Sequence, residues 1–93
     1  MVALEIKKTF SETEMTLLIK RILDCIQTAG YSIVKKREIA HLIIASRDFN
    51  GALLELTVSG AATEPGTVSF ILRGADREQV KSELLTLVKK ITF

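Results

Sequence analysis

The chain holds one cysteine, Cys25, and one histidine, His41. Together they are the pair that a thiol nucleophile and its general base would need. Their surroundings speak against that use. Cys25 falls beside the apolar stripe of a helical segment, where a thiol acts as a small apolar filler. His41 falls in an apolar run that reads as a strand. A metal centre needs three or four ligands. One cysteine, one histidine and scattered carboxylates do not supply them, so neither a metal nor a cofactor is expected. Glu5, Glu55 and His41 occupy positions that would share the sheet face turned away from the helices. By type they are an acid/base cluster; alternating charges on a solvated face are the ordinary outcome of the same pattern. No residue is assigned a catalytic role, and an enzyme is not expected.

The densest basic run is Lys35-Lys36-Arg37. Read as a charged turn between two strands, it either grips phosphates or is simply solvated. With Arg47 and Arg73 it makes up the candidate nucleic-acid contacts. The formal charge of +2, from thirteen basic and eleven acidic residues, adds little to that reading. Strand, Gly74, Ala75, Asp76, helix has the order of a phosphate-binding turn. Such turns use several glycines and free amides. Here the Asp76 carboxylate would sit on the amides an anion needs, so a plain helix cap is expected. Phe49, at the tip of "DFNG", either makes an exposed contact or folds back on the sheet edge.

These positions depend on a pattern of elements. Val2, Leu4 and Ile6 alternate with Ala3, Glu5 and Lys7, which predicts a half-buried strand and not a signal peptide. Ser11 and Glu14 form the spacing of a capping box. Met15, Leu18, Ile19, Ile22 and Ile26 then recur at helical spacing, predicting a helix from about Glu12 to Ala29, stopped by Gly30. A strand around Ile33 and Val34 and another over Ile39–Ala45 follow. Asn50-Gly51 predicts a hairpin, and Pro65-Gly66 a type II turn. Leu54, Leu56 and Val58, then Val68, Phe70 and Leu72, alternate as two further strands. Asp76 and Gln79 cap a closing helix with Val80, Leu84, Leu87, Val88 and Ile91 inward. The order β-α-β-β-β-β-α is α+β: one domain, residues 1–93, with a five-stranded antiparallel sheet and both helices on one face. The sheet order predicted is 1-5-4-3-2, with the first strand an edge able to dimerise, blunted by Lys7 and Lys8. No stretch is apolar for long enough to span a membrane. One cysteine excludes an internal disulfide, so a cytoplasmic protein is expected.

This order resembles one half of the TATA-box-binding protein fold, in which strand, helix, four strands and helix occur twice in tandem. The likeness is carried by "ILRGADREQVKSELLTLVKKI", Ile71 to Ile91. Gly74 and Ala75 match the family's turn there, and Asp76 stands where the family has Lys. The resemblance implies the fold. The family binds DNA with the open sheet face, and the glutamates expected on that face here oppose such use, so no DNA-contact residue is carried over.

A small non-enzymatic interaction domain is therefore expected, associating with a protein partner or with itself. The candidate patch is Ile43, Leu53, Ile71 and Phe49, together with the edge strand. The alternatives are a nucleic-acid module using the five basic residues, and a small hydrophobic ligand held between sheet and helix.

Overall fold

A computed structural model describes residues 1–12, 14–37, 39–61 and 63–91. The elements are β1 (Val2–Thr9), α1 (Met15–Thr28), β2 (Ser32–Arg37), β3 (Leu42–Phe49), β4 (Ala52–Gly60), β5 (Thr67–Gly74) and α2 (Arg77–Lys90). The five strands form one sheet in the order β1-β5-β4-β3-β2. Every neighbouring pair is antiparallel. Class, element order and sheet order match the expectation.

Alternation decides which face is buried. Val68, Phe70 and Leu72 of β5 and Leu54, Leu56 and Val58 of β4 are fully enclosed. Leu18, Ile19, Ile22 and Ile26 of α1 and Val80, Leu84 and Leu87 of α2 complete the core. Two glycines show how close the layers come. A Cβ on Gly60 would lie 2.5 Å from Met15 Cε of α1, and one on Gly74 would lie 2.8 Å from Val80 Cγ2 of α2. Both helices thus pack on the same sheet face. Gly74 is needed for this close approach of α2 and Leu54.

Turn chemistry follows the sequence closely. Asn50 and Gly51 both take positive φ, 55° and 84°, the signature of a two-residue hairpin. Gly66 has φ 88°, and Thr67 N–H donates to Glu64 C=O at 3.0 Å, as a type II turn requires. After α1, Tyr31 N–H reaches Ile26 C=O at 3.2 Å and Gly30 N–H reaches Gln27 C=O at 3.0 Å. With Gly30 at φ 97°, this is a Schellman stop.

Three boundaries differ. α1 begins at Met15, capped by Glu14, whose carboxylate accepts from Thr16 N–H at 3.3 Å; Ser11 is not the cap. The cause is Phe10, whose N–H donates to Gly66 C=O at 2.8 Å and ties the incoming chain to the turn before β5. Lys35, Lys36 and Arg37 lie inside β2 and not in a turn. β3 starts at Leu42, not Ile39: residues 39–41 form the turn, and Ile39 is 99% exposed. No described helix is long and apolar enough to cross a membrane.

Candidate functional site

Strand register fixes what the uncovered face displays. Three cross-strand rows follow from the pairings: Ala3, Arg73, Glu55, Ser46 and Ser32; then Glu5, Ile71, Thr57, Ile44 and Lys35; then Lys7, Ser69, Ser59, Leu42 and Arg37. Ser69 hydroxyl donates to the Glu5 carboxylate. Arg73 pairs with Glu55 at 3.6 Å and donates to Thr57 Oγ1 at 3.5 Å. The face is a mixed polar surface with a small apolar centre at Ile71, Ile44 and Leu42.

The expected patch does not assemble. Ile43 points at the helices and is fully buried. Ile44 and Leu42 hold the open side, opposite Thr57 and Ser59 of β4. Phe49 folds back against the core, with the Arg47 guanidinium 4.8 Å from its ring centre. Leu53 is 64% exposed but is separated from Ile71 by the Arg73–Glu55 pair.

The five basic residues divide in the same way. Lys35 and Arg37 sit on the open face at the β2 edge. Lys36, opposite Ile43, is on the helix side. Arg47 is also on the helix side, 3.6 Å from Glu83 and over the Tyr31 ring. Arg73 is engaged by Glu55. No continuous basic strip forms from them.

Nor do the catalytic candidates converge. Glu5 and Glu55 share the open face, but His41 lies behind it, in a cleft with Thr16, Ile19, Lys20 and Lys36. Cys25 lines a different cleft, with Asp24, Thr28, Ala29 and Lys90. Burial, and after it the Asp24 charge, push the Cys25 thiol pKa up, against a smaller lowering by Arg21. The thiol is held in its unreactive form. Among the described residues no group of three metal-ligating side chains occurs. The space between helices and sheet is filled by Leu18, Ile22, Leu56 and Phe70; the clefts at its margin open on the surface.

The two sheet edges are unlike. β2 carries a register break between Ile33 and Lys35, leaves Val34 64% exposed and bears three cations. Those are the devices that keep an edge from pairing. β1 is regular over eight residues. Its hydrogen-bonding parity can be worked out from its end. Phe10 N–H points at Gly66, so Val2, Leu4, Ile6 and Lys8 bond to β5, while Ala3, Glu5, Lys7 and Thr9 aim their N–H and C=O groups outward. The Ala61 N–H to Thr67 C=O bond, 3.0 Å, gives the same answer from the other side, since Thr67 then faces β4 and not Thr9.

Beside this edge, between β1 and α2, runs a cleft of about 290 Å³. Leu4, Ile6, Leu84 and Leu85 line it, with Glu78 and Lys81 also present. Leu85 is exposed, and no residue of this strip stands out in the sequence as part of a site. The signal was available in the alternation of β1 beside an unused apolar position on α2. Lys8 does not guard the edge as expected. Its ammonium donates to Ile91 C=O at 2.7 Å and Val88 C=O at 3.3 Å, at the negative end of α2. Comparison of the chain with protein-family models and with curated protein sequences yields no match.

Proposed function

We propose that the protein is a non-enzymatic interaction domain that associates with a second copy of itself along β1, extending the sheet across the junction. The observation that carries this reading is the self-complementary edge. Outward backbone groups fall on Ala3, Glu5, Lys7 and Thr9. A twofold axis through Ile6 sets Glu5 opposite the partner's Lys7, Ala3 opposite the partner's Thr9, and Ile6 opposite its own copy. The registers on either side would place Glu5 against Glu5 or Lys7 against Lys7, which is unfavourable. The Ser69 bond does not remove Glu5 from such a pair, because a carboxylate accepts several hydrogen bonds.

Helix placement supports the same reading. α2 lies over β1 and β5. With strands about 4.8 Å apart, two α2 helices across the new junction would stand about 10 Å apart, near the spacing of packed helices. Leu4, Ile6 and Leu85 would then be covered. The likeness to one half of the TATA-box-binding protein fold favours this too, since tandem members show how two such units share one sheet. A single protonated thiol suits a reducing compartment such as the cytoplasm.

The test is a charge exchange followed by analytical ultracentrifugation. Glu5→Lys and Lys7→Glu alone each turn two attractive pairs into two repulsive ones. At about 1 kcal/mol per pair, dimer affinity should fall roughly 30-fold. The double exchange should restore it. A chain that stays monomeric at millimolar concentration defeats the reading, and so does a dimer indifferent to both exchanges.

A further inference from the structure

Tyr31 stands between α1 and β2 and is 4% exposed. Its N–H closes the helix, but its hydroxyl is sealed from solvent and has no hydrogen-bond partner. A hydroxyl taken out of water without a replacement costs free energy, and a buried tyrosine hydroxyl ordinarily finds a partner. The phenol keeps its proton: burial first, and the Glu83 charge second, raise its pKa against a smaller lowering by Arg47. Tyr31 therefore offers a donor with nothing to meet it.

Tyr31 lines a small gap between the end of α1, β3 and α2, whose other polar lining is Arg47, Glu83, Thr86 and Lys90. About 10 Å³ of this gap is open to the centre of a water molecule, which is room for roughly one. Arg47 Nη1 and Glu83 Oε2 stand 3.6 Å apart across it. That is too long for a direct hydrogen bond, and it is the separation at which a water bridges two polar groups. Thr86 makes no bond back to its own helix, unlike Thr28, whose hydroxyl donates to Asp24 C=O at 2.9 Å.

We propose that this gap binds one water molecule, which accepts from the Tyr31 hydroxyl and an Arg47 N–H and donates to the Glu83 carboxylate and the Thr86 hydroxyl oxygen. Two donors and two acceptors are the full complement of a water, and internal waters make two to four such bonds. A single ion suits the gap less well, because Arg47 repels a cation and Glu83 an anion. α2 lies over β1 and β5, and the water ties it to β3 and to the end of α1 as well. This site is distinct from the β1 edge, and neither depends on the other.

Two measurements on the full chain test this together. A crystal structure at a resolution that shows ordered solvent should place one solvent peak within hydrogen-bond distance of Tyr31 Oη and of at least two of Arg47, Glu83 and Thr86. Tyr31→Phe removes the hydroxyl alone and should lower the thermal midpoint by about 4–8 °C, the shift expected for one lost hydrogen bond. A hydroxyl with no partner predicts the opposite, since its removal ends a desolvation cost; a midpoint that holds or rises therefore overturns the proposal. So does a Tyr31 Oη bonded directly to Glu83 or Thr86 with no solvent peak between them. A peak that gains an anomalous signal on soaking in bromide is an anion, and it overturns the choice of water.

Discussion

Proline placed at adjacent positions of β1 separates the backbone parity from everything else about the strand. Ile6 N–H bonds into β5, opposite Phe70; Lys7 N–H points away. Ile6→Pro removes a ladder bond and leaves the Phe70 carbonyl without its donor inside the sheet, at about 1–3 kcal/mol. The proline ring also pushes into the space between the strands. The loss should reach about 3 kcal/mol beyond that of Ile6→Ala, which accounts for the side chain alone. A domain of this size has roughly 5–14 kcal/mol in total, so the variant forfeits a large part of its stability. Lys7→Pro removes an N–H that has no strand to meet. Its neighbour Ile6 is already extended, as a residue before proline must be. Its cost should stay within about 1 kcal/mol, as for prolines on edge strands. Urea denaturation at low micromolar concentration, where association is suppressed, measures both. If Lys7→Pro costs as much as Ile6→Pro, the parity is inverted, and the register that opposes Glu5 to Lys7 goes with it. In concentrated solution Lys7→Pro should be a folded monomer.

Three further outcomes are expected. Asp76 accepts from Glu78 N–H at 2.9 Å and Gln79 N–H at 3.2 Å, so Asp76→Ala should lower stability by about 1 kcal/mol in thermal denaturation; no change would mean the cap is idle. Lys8→Met keeps the aliphatic stem but loses the charge at the end of α2, and should cost about 1–2 kcal/mol by the same assay, an unchanged midpoint refuting the contact. Tyr31, the single tyrosine, is pushed above its ordinary value of about 10 by burial first, then by Glu83, against a lowering from Arg47. The unfolded chain ionises first, so the stability from Tyr31 is complete below pH 10 and is lost as pH rises toward the folded value; an ultraviolet titration of native protein with its midpoint at or below 10 would contradict this.

The fold was legible because its signals are local. Alternation in Leu54–Val58 and Val68–Leu72 marks the buried face, and Asn50-Gly51 and Pro65-Gly66 can adopt few conformations other than those found. Asp76 was readable for the same reason. What failed to show in the sequence depended on distant partners. Ser11 looks like the cap of α1 until the Phe10 to Gly66 bond holds the chain extended. Ile43 looks exposed until its pairing with Val58 of β4 turns it to the helix side, a register that the apolar run alone does not fix. Cys25 and His41 carry the rarest chemistry in the chain, yet their separation into two clefts is set by opposite ends of α1, which spacing alone does not reveal.

The edge of β1 shows how such a long-range contact alters a functional reading. In sequence, Lys7-Lys8 looks like a pair of charges placed to discourage strand pairing. In the folded chain the two residues point to opposite faces. Lys8 leaves the edge altogether, because the carbonyls at the end of α2 offer its ammonium two acceptors. That leaves Lys7, and Lys7 is two residues from Glu5 on the same face with the same outward backbone parity. A lone cation on an edge repels its own copy. A cation and an anion at that spacing do so only in the wrong registers, and attract in the one centred on Ile6. Meanwhile β2, the other edge, carries Lys35 and Arg37 on the open face and a register break between Ile33 and Lys35. On the proposed reading, β2 is the edge closed to pairing and β1 the selective one. If β1 pairs as proposed, a sheet with that asymmetry would add one copy of itself and then stop, which is what separates a closed dimer from a growing aggregate.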